Sequence, residues 1–137
     1  MKRFLLSTLA GLIIGLSCLA QVTVEASATR VSARKGVITL KATLQEGLGI
    51  FSITPRNAED AFVTSFTAAD NEKATLLLDS VQEVGDLKLI DSEAAGTGAR
   101  TYTREVTYTI PVDLSDDSGI VIKGELNYLG LEGEDNF

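Results

Sequence analysis

Histidine and tryptophan are absent from this chain of 137 residues, which holds a single cysteine and a single methionine. Without histidine the chain lacks the commonest general base, the usual catalytic triads and the commonest ligand of zinc and copper. The methionine is Met1 and the cysteine is Cys18, so the chain beyond Cys18 has no thiolate or thioether ligand for a soft metal. We therefore expect a protein that is not an enzyme and that carries no cofactor.

Basic residues are also fewer than acidic ones: the chain has 12 Lys and Arg against 19 Asp and Glu, and its formal net charge is −7. The acidic residues are spread along the chain instead of forming one block. Nucleic acids and anionic lipid surfaces select basic patches, so neither is an expected partner. The balance is typical of the self-repelling surface of a soluble domain, and a protein is the expected partner.

The N-terminus has the order of a bacterial secretory signal. Lys2 and Arg3 precede an uncharged apolar run over residues 4–20, and small-residue triplets follow at 24–26 and 26–28. The sequence predicts a signal peptide over residues 1–28 and one domain over residues 29–137, placed in the periplasm or secreted. A retained membrane anchor is the alternative, although the run is short for a bilayer span.

A second alternative for the leader is a lipoprotein, anchored to the membrane through lipid on Cys18. Residues 15–18 read Gly-Leu-Ser-Cys. Ser17 suits this reading, whereas Gly15 stands where a branched aliphatic residue is expected. Ordinary cleavage is preferred. If the cut falls at or after Ala20, the mature chain has no cysteine and hence no disulfide or thiol nucleophile.

Alternating apolar and polar residues dominate the rest of the chain. In residues 37–44 one face carries Ile38, Leu40, Ala42 and Leu44. Residues 101–112 alternate most regularly, and residues 120–129 follow after a turn. Alternation with a period of two predicts half-buried strands, and the last two segments are expected to pair as an antiparallel hairpin. In the first of these two segments one face carries Tyr102, Val106, Tyr108, Ile110 and Val112, with Arg104 as an interruption.

Shorter strands are predicted at 50–54, 61–67 and 87–90. Residues 75–84 fit a helix or a strand, and the small, polar residues 91–100 predict the most mobile loop. About seven short strands with frequent turns predict an all-β fold, namely an immunoglobulin-like antiparallel β-sandwich. A small β-barrel is the alternative.

Two acidic groups are candidates for a metal site. Asp113, Asp116 and Asp117 lie in one turn and could form a weak calcium loop, but their spacing is not that of an EF-hand. A solvated turn is the preferred interpretation. Near the end of the chain a second acidic group predicts a solvated tail. No metal site is predicted. The members of the second group are Glu132, Glu134 and Asp135.

Three segments resemble the periplasmic N-terminal domain of the thiol:disulfide interchange protein DsbD. Residues 47–52, Gly-Leu-Gly-Ile-Phe-Ser, resemble that family's Gly-Trp-His-Ile-Tyr-Ser run. Residues 63–66, Val-Thr-Ser-Phe, are similar to its Pro-Thr-Ser-Phe, and residues 122–128 are similar to the strand before its redox segment. The resemblance covers most of residues 37–128 and implies an immunoglobulin-like sandwich.

The family's two redox cysteines and its prolines are missing here, where residues 129–137 read LGLEGEDNF. Thiol–disulfide exchange needs a thiolate, so the chemistry of the family does not transfer. The expected function is a non-catalytic binding or accessory module of the bacterial cell envelope, which acts on a protein partner. A structural or surface protein, such as a pilus or matrix component that assembles through sheet edges, is the alternative. A hydrolase that uses carboxylates alone is a third hypothesis.

Overall fold

The computed structural model describes residues 2–8, 13–18, 22–115 and 119–132, and in these ranges it contains no α-helix. Within the same ranges a 3-10 turn at Leu78–Ser80 interrupts a succession of strands. The strands are β1 (Lys2–Thr8), β2 (Ile13–Cys18), β3 (Val22–Ser32), β4 (Lys35–Leu44), β5 (Leu48–Phe51), β6 (Ser65–Ala68), β7 (Ala74–Leu76), β8 (Gln82–Ser92), β9 (Gly96–Leu114), β10 (Ile120–Asn127) and β11 (Gly130–Glu132).

The strands form two antiparallel sheets. The smaller sheet has the order β1-β10-β6. The larger sheet has the order β11-β5-β9-β4-β3-β2, and β7 and β8 also pair with β9. The prediction of an all-β antiparallel fold is confirmed.

The core lies between the two sheets and follows the alternation of the sequence. Tyr108 of β9 is fully buried. Its ring packs edge to face against the ring of Phe66 in β6, with 5.1 Å between the two ring centroids. Burial of such side chains is the main stabilising term, at roughly 1.5–3 kcal/mol for each large apolar residue. The apolar face predicted for residues 37–44 is buried as expected. Further core residues are Ile38, Leu40, Ala42, Val106, Ile110 and Val112 from the larger sheet and Ile120, Ile122 and Leu126 from the smaller one.

The predicted hairpin between residues 101–112 and 120–129 is wrong. Strand β9 belongs to the larger sheet and β10 to the smaller one, so the two strands face each other across the core. The reason is that both edges of β9 are occupied where it ends. Val112 pairs with Gly36 of β4 on one edge and with Leu76 of β7 on the other. A strand has two edges only, so the chain must cross to the other sheet.

The mobile loop predicted over residues 91–100 is also wrong, because these residues form the tip of the β8–β9 hairpin. The Asp91 carboxylate accepts a hydrogen bond from the Gly98 N–H at 2.9 Å. Ala95 and Ala99 are buried in a second small cluster. The small residues that predicted mobility allow close packing here, and Gly96 takes the positive φ of 84° that the turn requires.

Residues 75–84, which fitted a helix or a strand, divide between β7, the 3-10 turn and the beginning of β8. Pairing with β9 decides this division more than local propensity does. The N–H of Leu77 donates to the Pro111 carbonyl at 2.9 Å, but proline has no N–H to donate in return, so the ladder between β7 and β9 ends there.

Strand β3 lies inside the larger sheet between β2 and β4. Every second residue of its first part is buried, so this segment belongs to the core, although the predicted leader extends to Ala28. A cut after Ala28 would therefore pass through β3. The leader boundary itself stays a prediction. The buried residues are Val22, Val24, Ala26 and Ala28, with 2% exposure or less.

Truncating Ile110 should destabilise the domain strongly. Ile110 is completely buried in β9, and Ile110→Ala removes transfer energy and leaves a cavity, at a cost of about 2–5 kcal/mol. Glu93→Ala, in the exposed hairpin turn, should change stability by less than about 0.5 kcal/mol. Urea titration of both variants measures the difference, and equal midpoints would show that β9 is not the core strand.

Candidate functional site

The outer edge of β8 is the candidate site. Over its 11 residues β8 pairs with β9, and within the described ranges it pairs with no other strand. One row of backbone N–H and C=O groups therefore lacks a neighbouring strand. Such an edge is a template for pairing with another chain.

Apolar side chains are exposed along this edge. The exposed fractions are 67% for Val84, 38% for Leu87 and 66% for Leu89. Single exposed apolar residues are common on protein surfaces, but here three lie within six positions of one strand, Val84 on one face and Leu87 and Leu89 on the other. Asp86 and Lys88 share the face of Val84, and neither forms an ion pair within the described part of the chain.

Glu83 anchors the beginning of β8 to the loop after β5. Its carboxylate accepts hydrogen bonds from the Ser52 hydroxyl at 2.6 Å and from the Ile53 N–H at 2.8 Å. Burial, helped by the negative charge of Glu83, raises the pKa of Tyr102 to about 12. Tyr102 is therefore a neutral phenol at physiological pH. The hydrogen bonds from Ser52 and Ile53 direct the Glu83 carboxylate inward, away from the free edge.

An irregularity in β9 lies beside the middle of β8. Gly85 pairs with Val106 and the next residue, Asp86, pairs with Thr103, so β9 carries the extra residues. One of them, Arg104, has a positive φ of 68°, which is unusual for a residue with a side chain. Because the bulge lies in β9, the alternation of β8 continues without a break.

Glycine is required at position 85 by close contacts. A Cβ atom there would lie 2.7 Å from the Glu105 carbonyl oxygen and 2.9 Å from Cδ1 of Tyr102. The Tyr102 ring thus covers the backbone where β8 has no side chain. This contact holds the centre of β8 against the sheet.

A clamp in the loop between β5 and β6 holds the hairpin tip. Arg56 donates to both oxygens of Asp60, from Nε at 2.9 Å and from Nη2 at 3.0 Å. Nη1 donates to the Thr97 carbonyl at 3.0 Å, which joins the loop to β9. The hydrogen bonds from Arg56 hold the pKa of the Asp60 carboxyl well below its usual range.

The residues that the sequence singled out do not form a site in the described structure. Cys18 lies in β2, at the position that pairs with Thr23. The Asp113 carboxylate accepts a hydrogen bond from Lys35, whereas Asp116 and Asp117 lie outside the described residues. Among the described residues no three His, Cys, Asp or Glu are grouped as metal ligands. Glu134 and Asp135 also lie outside the described residues, and only the backbone of Glu132 is described.

The edge of β8 was missed by sequence analysis. Residues 87–90 were correctly predicted as a strand, but their alternation is the same whether the strand is central or at an edge. Only the pairing of the folded chain shows that one edge of β8 has no partner strand among the described residues.

Comparisons with protein-family models, with curated proteins and with solved structures find no match for this chain. No helix in the described ranges is long and apolar enough to cross a membrane. The resemblance to the DsbD domain stays a prediction, as do the partner and the compartment.

Replacing Asp60 by Asn should weaken the clamp in a pH-dependent way. The folded pKa of Asp60 is depressed, so its stabilising effect is present above the unfolded pKa of about 3.9 and is lost as the pH falls through the folded value. The urea midpoint of Asp60→Asn should lie below that of wild type at pH 7, and the gap should narrow towards pH 3. Glu59→Gln, on the exposed part of the same loop, is the control. If the difference between the urea midpoints of wild type and Asp60→Asn did not change with pH, the stabilising role of the ionised Asp60 carboxylate would be contradicted.

Proposed function

We propose that this chain is a non-catalytic protein-binding module of the bacterial cell envelope, which pairs with an extended segment of a protein partner at the free edge of β8. The observation that carries this proposal is the unpaired edge of 11 residues with its three exposed apolar side chains. An added strand would gain backbone hydrogen bonds along the edge and would cover Val84, Leu87 and Leu89.

The resemblance to the DsbD N-terminal domain supports an envelope role for a scaffold of this kind. The resembling segments include Ile50, Phe51 and Ser52, all buried, and the half-buried Phe66. They are packing residues, so the resemblance concerns the scaffold and carries no catalytic group. This resemblance favours an accessory role beside a redox or cytochrome-maturation partner. The identity of the partner has to come from experiment, because fold alone does not assign one.

Export to the periplasm or beyond is part of the proposal, with ordinary cleavage preferred to lipid attachment at Cys18. Burial of β3 favours a cut ahead of Val22 over one after Ala28. Cys18 and Ala20 supply a small-residue pattern there. Strands β1 and β2 lie at outer positions of their sheets, so removing them separates no two of the remaining strands.

Expression of the full chain in a Gram-negative host, followed by the intact mass of the periplasmic protein, tests this step. We expect a mature chain that begins at Gln21, and Cys18→Ala should leave that terminus unchanged because alanine is also small. A terminus at Met1 would refute export. Acyl mass on Cys18, or a terminus at Thr29, would refute the proposed cut.

The second candidate function is a structural or surface protein that assembles through its own sheet edges. The observation that favours it is the presence of both charge signs on the free strand, with Asp86 and Lys88 on the same face. A strand with both signs can complement a second copy of itself.

Crosslinking from the edge tests the binding function. A photoreactive residue at position 89 in the exported protein should crosslink to protein in intact cells, whereas one at position 31 should not. Val31 is the matched control, because it is 66% exposed, as is Leu89, and lies away from β8. The variant Leu89→Lys should lose partner capture because a charge on an edge opposes strand addition. Equal crosslinking at the two positions, or none at either, would refute the proposal.

A further inference from the structure

We propose that the strand which occupies the free edge of β8 is β8 of a second copy, so that two chains form an antiparallel dimer with its two-fold axis at Leu87. The inference rests on the proposed use of this edge for strand pairing, and it takes the second candidate function, self-assembly, as the form which that pairing has. In such a two-fold symmetric contact, a residue that precedes the axis lies opposite the residue of the second copy that follows the axis by the same number of positions. The position of the axis therefore determines all the pairs.

The edge is suited to a continuous pairing because β8 alternates regularly from Glu83 to Ile90. The extra residues of the bulge, which include Arg104, lie in β9 and not in β8. Bulges are one of the devices by which proteins protect an edge from pairing. Here the bulge leaves the outer edge of β8 unbroken.

In the register centred on Leu87, the face that carries the charges becomes complementary. Lys88 lies opposite Asp86 of the second copy, and symmetry repeats the pair. Ile90 lies opposite Val84 of the second copy, so that the exposed Val84 gains an apolar neighbour. Residues directly opposite each other in antiparallel strands have Cβ atoms about 4.5–5.5 Å apart, close enough for both contacts.

The other face is complementary in shape. Leu87 meets Leu87 of the second copy on the axis, and Leu89 lies opposite Gly85. Gly85 has no side chain, and the Tyr102 ring covers its backbone. Leu89 of each copy therefore meets no β8 side chain at position 85 of the other copy and lies beside the Tyr102 ring. All three exposed apolar residues of the edge are covered in this register.

Neighbouring symmetric registers lack this complementarity. Centring the axis on Asp86 places the two Asp86 carboxylates opposite each other. Centring it on Lys88 does the same with the two ammonium groups. Like charges directly opposite each other are destabilising in a sheet. The order Asp-Leu-Lys at 86–88 therefore selects the register on Leu87.

The ends of the paired segment tolerate the same register. Asp91 lies opposite Glu83 of the second copy, which would bring two acidic residues together. The Glu83 carboxylate, however, points inward and accepts hydrogen bonds from Ser52 and Ile53. Asp91 accepts a hydrogen bond from Gly98 at the hairpin tip. Both carboxylates are thus held by their own chains.

Charge reversal tests the register. In sedimentation velocity the exported wild-type protein should show a reversible monomer–dimer equilibrium. Lys88→Asp alone, and Asp86→Lys alone, should each raise the dimer dissociation constant by about tenfold or more, because attraction becomes repulsion. A mixture of these two variants should form a heterodimer, since each pair then joins opposite charges. Lys41→Asp, on an exposed position of β4, should leave the equilibrium unchanged.

A cysteine at position 87 provides a second measurement that does not depend on affinity. In a Cys18→Ala background, Leu87→Cys should form a disulfide between two copies under mild oxidation, whereas Val31→Cys should not. The dimer would be overturned if the wild-type protein stayed monomeric up to high concentration and the Leu87→Cys variant formed no disulfide between copies. If another envelope protein then crosslinked at position 89, the binding function would stand and this inference would fall. If that crosslink were also missing, both would fall.

Discussion

The pairing of β9 on both edges is the constraint on which the rest of the architecture depends. This strand of 19 residues pairs with β4 and β5 along one edge and with β7 and β8 along the other. No position is left for β10, which therefore joins the opposite sheet and closes the core from the other side. The same saturation places β8 at the outside, where its second edge has no neighbour within the described residues.

The bulge at Arg104 allows one strand to serve so many neighbours. Along the chain, β9 pairs first with β5, up to Thr103, and then with β4, from Glu105 onwards. Arg104, the residue with a positive φ, lies between these two segments. Tyr102 then turns over Gly85, whose missing Cβ makes room for it. The change of partner on one side of β9 thus shapes the surface on the other side, where the candidate interaction edge lies.

Sequence patterns predicted the strands of the core well and the pairing of the strands poorly. Ile38, Leu40 and Tyr108 alternate with polar residues because each strand has one buried face, and this property is local. Whether 101–112 pairs with 120–129 depends on which strands already occupy the edges of β9, and that is decided by distant residues such as Gly36 and Leu76. The free edge of β8 was beyond the reach of local patterns for the same reason. Its Leu87 and Leu89 resemble core residues in the sequence and become surface residues only through the topology.

The charges on β8 explain how an open edge can be selective. Natural edges are usually protected by charge, and an edge with charges of one sign would repel copies of itself. Asp86 and Lys88 have opposite signs and are separated by one residue, so a partner strand must present the reverse order to avoid like-charge contacts. An antiparallel copy of β8 presents that reverse order by symmetry. The same two side chains that discourage general strand addition therefore favour one partner in one register, which is how specificity arises from repulsion as well as attraction.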